Sequence, residues 1–150
     1  MRSARLRRLV VSENSVVSFE AVITPVAAVR PKVTRWSTYY PGEYGKYLPE
    51  LRGMLEQGWP VPPKSGLVEL DLEFRLPRPR SHYGTGRNAQ KVKGSAPVVP
   101  HQDVDNLLKG AMDAATGVLY LDDKQVVRVT AVKRYGQPAI VYRLVDGIRC

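Results

Sequence analysis

The sequence predicts an α+β fold in a single domain: a mixed sheet of about four or five strands packed with two main helices. Three observations carry that expectation. Residues 67–76, "LVELDLEFRL", alternate apolar and charged side chains with the period of two of a half-buried strand. Val104, Leu107, Leu108, Ala111 and Ala115 fall at i, i+3, i+4, i+7 and i+11, the stripe of an amphipathic helix. Two runs rich in β-branched residues, "QVVRVTAVKRY" and "AIVYRLV", close the chain with "GQP" as a turn between them.

The elements follow in chain order. A length of 150 residues suits one domain spanning 1–150 and is short for two. Its start, "MRSARLRRLVV", reads as a flexible basic N-terminus over residues 1–15. "VVSFEAVITPVAAV" (16–29) favours one strand, with Pro25 pointing to an edge, a bulge or a break within it. "RPKVTRWSTYYPGEYG" is polar and aromatic, and a helix is expected from about Leu48, with Tyr47, Leu51 and Leu55 at helical spacing. Pro49 then falls in the first turn, where its missing N–H costs little. "WPVPPKSG" is a turn before the alternating strand. Residues 77–100 are too rich in Pro, Gly and cations for a routine connection and suggest a functional loop. The second helix ends at Gly117.

Charge narrows the function. Lys and Arg total 23 against 14 Asp and Glu, a net +9, which favours a polyanionic partner such as nucleic acid. Arg78, Arg80, Arg87, Lys91 and Lys93 in the long loop are candidate phosphate contacts. The single cysteine, Cys150, allows no internal disulfide and fits a reducing, cytoplasmic setting. No apolar run approaches the roughly 20 residues needed to cross a bilayer.

Against this background, "HQDVDNLLKGAMDAATGVLYLDDKQ" (101–125) gathers Asp103, Asp105, Asp113, Asp122 and Asp123. Asp103 and Asp105 open a helix, where its dipole favours negative charge, so capping is one explanation. Capping does not account for Asp122 and Asp123. A twelve-residue helix is about 18 Å long, and six extended residues after Gly117 reach about 20 Å. Residue 123 can therefore return beside residue 103 if the chain doubles back at Gly117. Converging carboxylates repel unless a cation neutralises them, and Mg²⁺ takes carboxylates and waters while leaving positions for phosphate oxygens. Lys109 lies four residues from both Asp105 and Asp113. It serves either as an ordinary helix ion pair or as a charge beside a scissile phosphate. An EF-hand loop is excluded by Leu107 and Leu108. An aspartyl-phosphate phosphatase would need a buried strand before the acids, and "APVVPHQ" is short and proline-bounded.

"DVDNLLKGAMDAATGVLYLDDKQVV" resembles the signature of the RusA family of Holliday junction resolvases, in which D-x-D-N-L-x-K precedes D-A, a Gly-containing turn and D-D-x-Q-V. "PRPRSHYGTGRNA" and, more loosely, "RPKVTR" extend the resemblance over most of Val16 to Val132. It implies a Mg²⁺-dependent endonuclease, with Mn²⁺ able to substitute, acting as a homodimer that cuts four-way DNA junctions by paired symmetric nicks. The family's essential carboxylates fall on Asp103, Asp105 and Asp123 as metal ligands, and its essential lysine on Lys109. Asn106, Asp113 and Asp122 support that site, and a phage or prophage origin is in keeping with it. Two alternatives remain at this stage: another metal-dependent nuclease acting on flaps or branched DNA, and a non-catalytic DNA-binding protein with an acidic structural turn.

Overall fold

The alternating run, residues 68–76, lies inside the main sheet one strand from its edge, and its two faces meet different surroundings. The computed structural model describes residues 5–11 and 14–148. Its elements are β1 (Arg5–Val11), β2 (Asn14–Ala21), β3 (Lys32–Val33), β4 (Thr38–Tyr39), α1 (Glu43–Gly58), β5 (Val68–Leu76), α2 (Val104–Ala115), β6 (Val126–Tyr135) and β7 (Ala139–Val145). Five strands make one sheet in the order β1-β2-β7-β5-β6, and β3-β4 is a separate hairpin. β5 pairs in parallel with β6 and antiparallel with β7, so the sheet is mixed, as expected.

On β5, Val68, Leu70, Leu72, Phe74 and Leu76 are buried. They pack with Leu51 and Leu55 of α1, Leu107, Ala111, Ala114 and Ala115 of α2, Phe19 of β2 and Tyr142 of β7. The opposite face holds ion pairs instead. Arg75 Nε meets Glu73 at 2.9 Å, Arg75 Nη1 meets Glu20 at 3.2 Å, and Arg143 meets Asp71 at 2.6 Å. Each side of the alternation thus finds its solvent: hydrocarbon on one face, partly hydrated charge on the other.

Several expectations change. The N-terminal stretch does not simply fray: residues 5–11 form β1, paired with β2 from Arg5↔Glu20 to Val11↔Asn14. Residues 1–4 and 12–13 of that stretch lie outside the described residues. α1 begins at Glu43, five residues before Leu48, because Tyr44, Tyr47, Leu51 and Leu55 together make its buried stripe. Pro49 therefore lies inside the helix rather than in its first turn. A helix interior normally rejects proline through its ring and its missing N–H, and here burial of the aromatic stripe outweighs that cost. The "GQP" turn joins β6 to β7, but these strands do not pair with each other; they flank β5.

One end of the sheet concentrates the irregular chain. β2 ends at Ala21 opposite Ile140, which is itself opposite Phe74 near the end of β5. The 22–42 connection, the 77–103 loop and the 136–138 turn all leave from there. α2 starts at this end: Lys133 Nζ donates to Gln102 O at 2.8 Å, and Ala28 N–H donates to Asn106 O at 3.0 Å. No helix among the described residues is long and apolar enough to cross a membrane.

Candidate active site

α2 presents one face to the core, so its other face must carry the polar residues of the motif. Leu107, Gly110, Ala111, Ala114 and Ala115 are buried, while Asp105 and Lys109 are exposed and Asp113 is half-buried. Gly110 lets α1 come close: a Cβ there would lie 3.1 Å from Tyr44 Cε1. The Tyr44 hydroxyl is buried without a hydrogen-bond partner among the described residues. Burial, reinforced by the Asp113 carboxylate, pushes its pKa up to about 12.

Asp103 occupies the position before the first helical residue, yet its side chain makes no capping hydrogen bond. The capping explanation therefore does not use this carboxylate. Asp105 accepts from the Asn106 N–H at 3.0 Å, a bond that takes one of its lone pairs. Two hard oxygen donor groups, two residues apart, thus open the helix. Such a pair suits Mg²⁺ or Mn²⁺, since Mg²⁺ binds through one or two carboxylates and keeps its other positions for water and substrate phosphate.

A second acidic place lies at the far end of α2. Asp113 has its pKa raised by burial, lowered by Lys109, raised by the Asp123 carboxylate and lowered by Arg52, with a net rise. Asp123 therefore stands within electrostatic reach of Asp113. Arg52, from α1, donates to Thr116 O at 2.8 Å, placing a cation where the helix carbonyls end. Asp122 and Gln125 form a capping box: Lys124 N–H donates to Asp122 Oδ1 at 3.0 Å, and Asp122 N–H donates to Gln125 Oε1 at 2.8 Å. Gln125 Nε2 also donates to Lys64 O at 2.7 Å and Gly66 O at 2.9 Å. The Lys124 N–H, followed by a hydrogen bond with Asp123, holds the Asp122 carboxyl below its ordinary pKa. Asp122 is thereby committed to holding the turn, although both carboxylates of the pair are exposed.

The two acidic places do not merge within one chain. The chain does double back at Gly117, whose φ is 86°. The residues after it curl instead of extending: Gly117 N–H donates to Tyr120 O at 2.7 Å and Leu119 N–H to Ala115 O at 2.9 Å. The turn therefore delivers Asp123 to the last turn of α2 rather than to its first. Asp113 lies ten residues after Asp103, about 15 Å along the axis. Among the described residues, no group of three or more His, Cys, Asp or Glu is placed to hold a metal ion.

In the long loop, Tyr83 and Val92 form an isolated antiparallel bridge, and Gly84 N–H donates to Lys91 O at 3.0 Å. Arg80, Arg87, Lys91 and Lys93 are exposed on it. Arg78 is engaged differently. Its guanidinium lies 4.1 Å from the centre of the Tyr135 ring and donates to Pro97 O at 2.8 Å, fastening the two ends of the loop to β6.

The signature in α2 and the turn after it is matched across most of the chain. The family profile described as endodeoxyribonuclease RusA covers residues 23–144. The chain belongs to the RusA family. Its match therefore takes in nearly all of the connection 22–42, both helices, the long loop, β5, β6 and β7 up to Leu144. A curated relative, the uncharacterized protein YqaN of Bacillus subtilis (strain 168), is 34% identical over 74 residues, 49% of this chain. The match spans about half of that relative's length, 52%. The family signature D-D-x-Q-V gains a physical reading here: Asp122 and Gln125 fold the turn that presents Asp123. Sequence reasoning passed over Arg52, Lys133 and the bonding role of Gln125. Only Gln125 carried a signal, a fixed place in the signature.

Proposed function

We infer that this RusA-family chain is a divalent-metal-dependent endonuclease that resolves four-way DNA junctions by paired symmetric nicks as a homodimer. The observation that carries the reading is the Asp103 carboxylate, which heads α2 beside Asp105 and is not spent on capping the helix. Asp103 and Asp105 hold Mg²⁺, with Mn²⁺ able to substitute. An ion bound there supplies Lewis-acid polarisation of the phosphodiester and a lower pKa for an attacking water.

Lys109, one turn along the exposed face from Asp105, stabilises the negative charge that builds on the scissile phosphate. Asn106 anchors this end of α2 through its carbonyl, which accepts from Ala28. Asp123 is the third carboxylate of the set, and Asp113 and Asp122 support it. Because Asp123 sits at the opposite end of its own helix, the reading requires a second protomer to bring its Asp123 to the Asp103 end. A two-fold dimer then carries two such sites for opposing strands. Arg80, Arg87, Lys91 and Lys93 contact phosphates, and Arg78 fixes the loop that carries them. In this reading the protein works in the cytoplasm of a bacterial or phage-infected cell, where branched DNA arises.

The test is incubation of a synthetic four-way junction, a flap and a linear duplex with Mg²⁺, then with EDTA. Symmetric nicking of the junction that vanishes with chelator is the expected result. Equal cutting of all three substrates would replace junction resolution with a broader nuclease activity.

A further inference from the structure

The hairpin β3-β4 has no part in the acidic site, yet it carries several of the exposed large apolar side chains among the described residues. Trp36 at its tip is 85% exposed, with Val33 and Tyr39 also exposed beside it. Exposure on this scale withholds a large indole from the core, which is costly unless something else covers it. The tip is stiff: Thr34 N–H donates to Ser37 O at 2.7 Å, and Ser37 N–H donates to Thr34 Oγ1 at 3.0 Å. Arg35 places its guanidinium 5.1 Å from the centre of the Trp36 ring. From residue 21 to residue 42 the sequence has three cations, Arg30, Lys32 and Arg35, and no acid. The root of the hairpin is tied to the motif helix through the Ala28–Asn106 bond, so it rises from the end of α2 that bears Asp103 and Asp105.

We propose that Trp36 is a stacking wedge that reads unstacked bases at the branch point of the DNA, while Arg30, Lys32 and Arg35 hold the flanking phosphates. A flat, preorganised ring backed by a guanidinium offers a base the stacking surface that sequence-tolerant nucleic-acid binders use. Bases at a branch have lost part of their stacking already, so inserting a side chain there costs less than within a duplex. The surrounding positive charge selects DNA over an apolar protein partner. This inference rests on the nuclease reading for the identity of the DNA, but its test does not need cleavage.

The protein has two tryptophans, and Trp59 is buried, 8% exposed, against Phe19. Emission from Trp36 therefore reports on the hairpin alone. Titration with a four-way junction in EDTA is expected to quench the exposed fluorophore, and Trp36→Ala is expected to abolish the quench. The same variant should lose about tenfold or more in junction affinity, the scale of one lost base–aromatic stack, while linear-duplex affinity moves less than about twofold. Trp36→Phe should retain most of the affinity. Unquenched emission at saturating junction, or a Trp36→Ala variant that binds junctions as well as the wild type, overturns the wedge. If the wild type cuts junctions and the variant matches it, the wedge alone fails. If the wild type cuts no junction, the nuclease reading fails, and quenching still decides the wedge.

Discussion

Lys109 separates an ornamental charge from a working one, and Lys109→Met makes the distinction measurable. Met keeps an unbranched stem and a similar helix propensity, so the change removes little but the ammonium. Lys109 has two neighbours at helical spacing, Asp105 and Asp113, and it forms none of the close ion pairs among the described residues. Exposed pairs of this kind contribute about 0.3–0.5 kcal/mol each, so both together amount to less than about 1 kcal/mol. For a chain of this size that is a fall in melting temperature of roughly 2–4 °C at most. Loss of one positioned charge at a developing oxyanion costs far more, about 10²–10³-fold in rate. Single-turnover cleavage of a four-way junction, read beside a thermal melt, should show that fall in rate with almost no loss of stability. Cleavage within tenfold of the wild type would refute the role given to Lys109, and a melt lowered by more than about 8 °C would show that it is structural instead.

Two other perturbations test the frame around the site. Burial acts to raise the pKa of Asp146, but the Lys64 ammonium at 2.7 Å and the Ser15 hydrogen bonds prevail and hold it below the ordinary carboxylate value. A depressed pKa contributes stability above the unfolded value near 3.8 and loses it as pH falls through the folded value. Asp146→Asn should therefore cost about 1 kcal/mol at pH 7 and nothing once both proteins are fully protonated, as read by urea unfolding against pH; an equal deficit at all pH values would contradict this. Gln125→Ala removes three hydrogen bonds from the turn before β6. At about 1 kcal/mol each, less for groups that water can reach, the loss should be about 2 kcal/mol in urea unfolding, together with slower cleavage, because Asp123 loses its support. A change under about 0.5 kcal/mol would show that the turn does not depend on Gln125.

Much of this was legible where one element decides its own pattern. The alternation of 68–76 and the stripe from Leu107 to Ala115 each report a single buried face, and both elements fall where expected. The start of α1 was missed because Tyr44 reads as polar until a glycine on another helix makes room for its ring. β3 and β4 have two residues each and were invisible to any periodicity. The neighbours of β5 depend on contacts between distant segments, which a local pattern does not encode. The candidate site divides in the same way. The signature residues were legible as a set, but an extended return after Gly117 would bring Asp123 to Asp103, and local hydrogen bonds curl that segment instead.

The most direct test of the central claim is the pair of numbers obtained from Asp105→Asn: the single-turnover rate on a four-way junction in Mg²⁺, and the junction affinity in EDTA. The substitution removes one charge from an exposed carboxylate at the head of α2, so folding and DNA contacts elsewhere should persist. The expected result is a rate reduced at least a hundredfold, the scale of losing one positioned electrostatic group, with junction affinity equal to or above that of the wild type. Wild-type cleavage by the variant would contradict it.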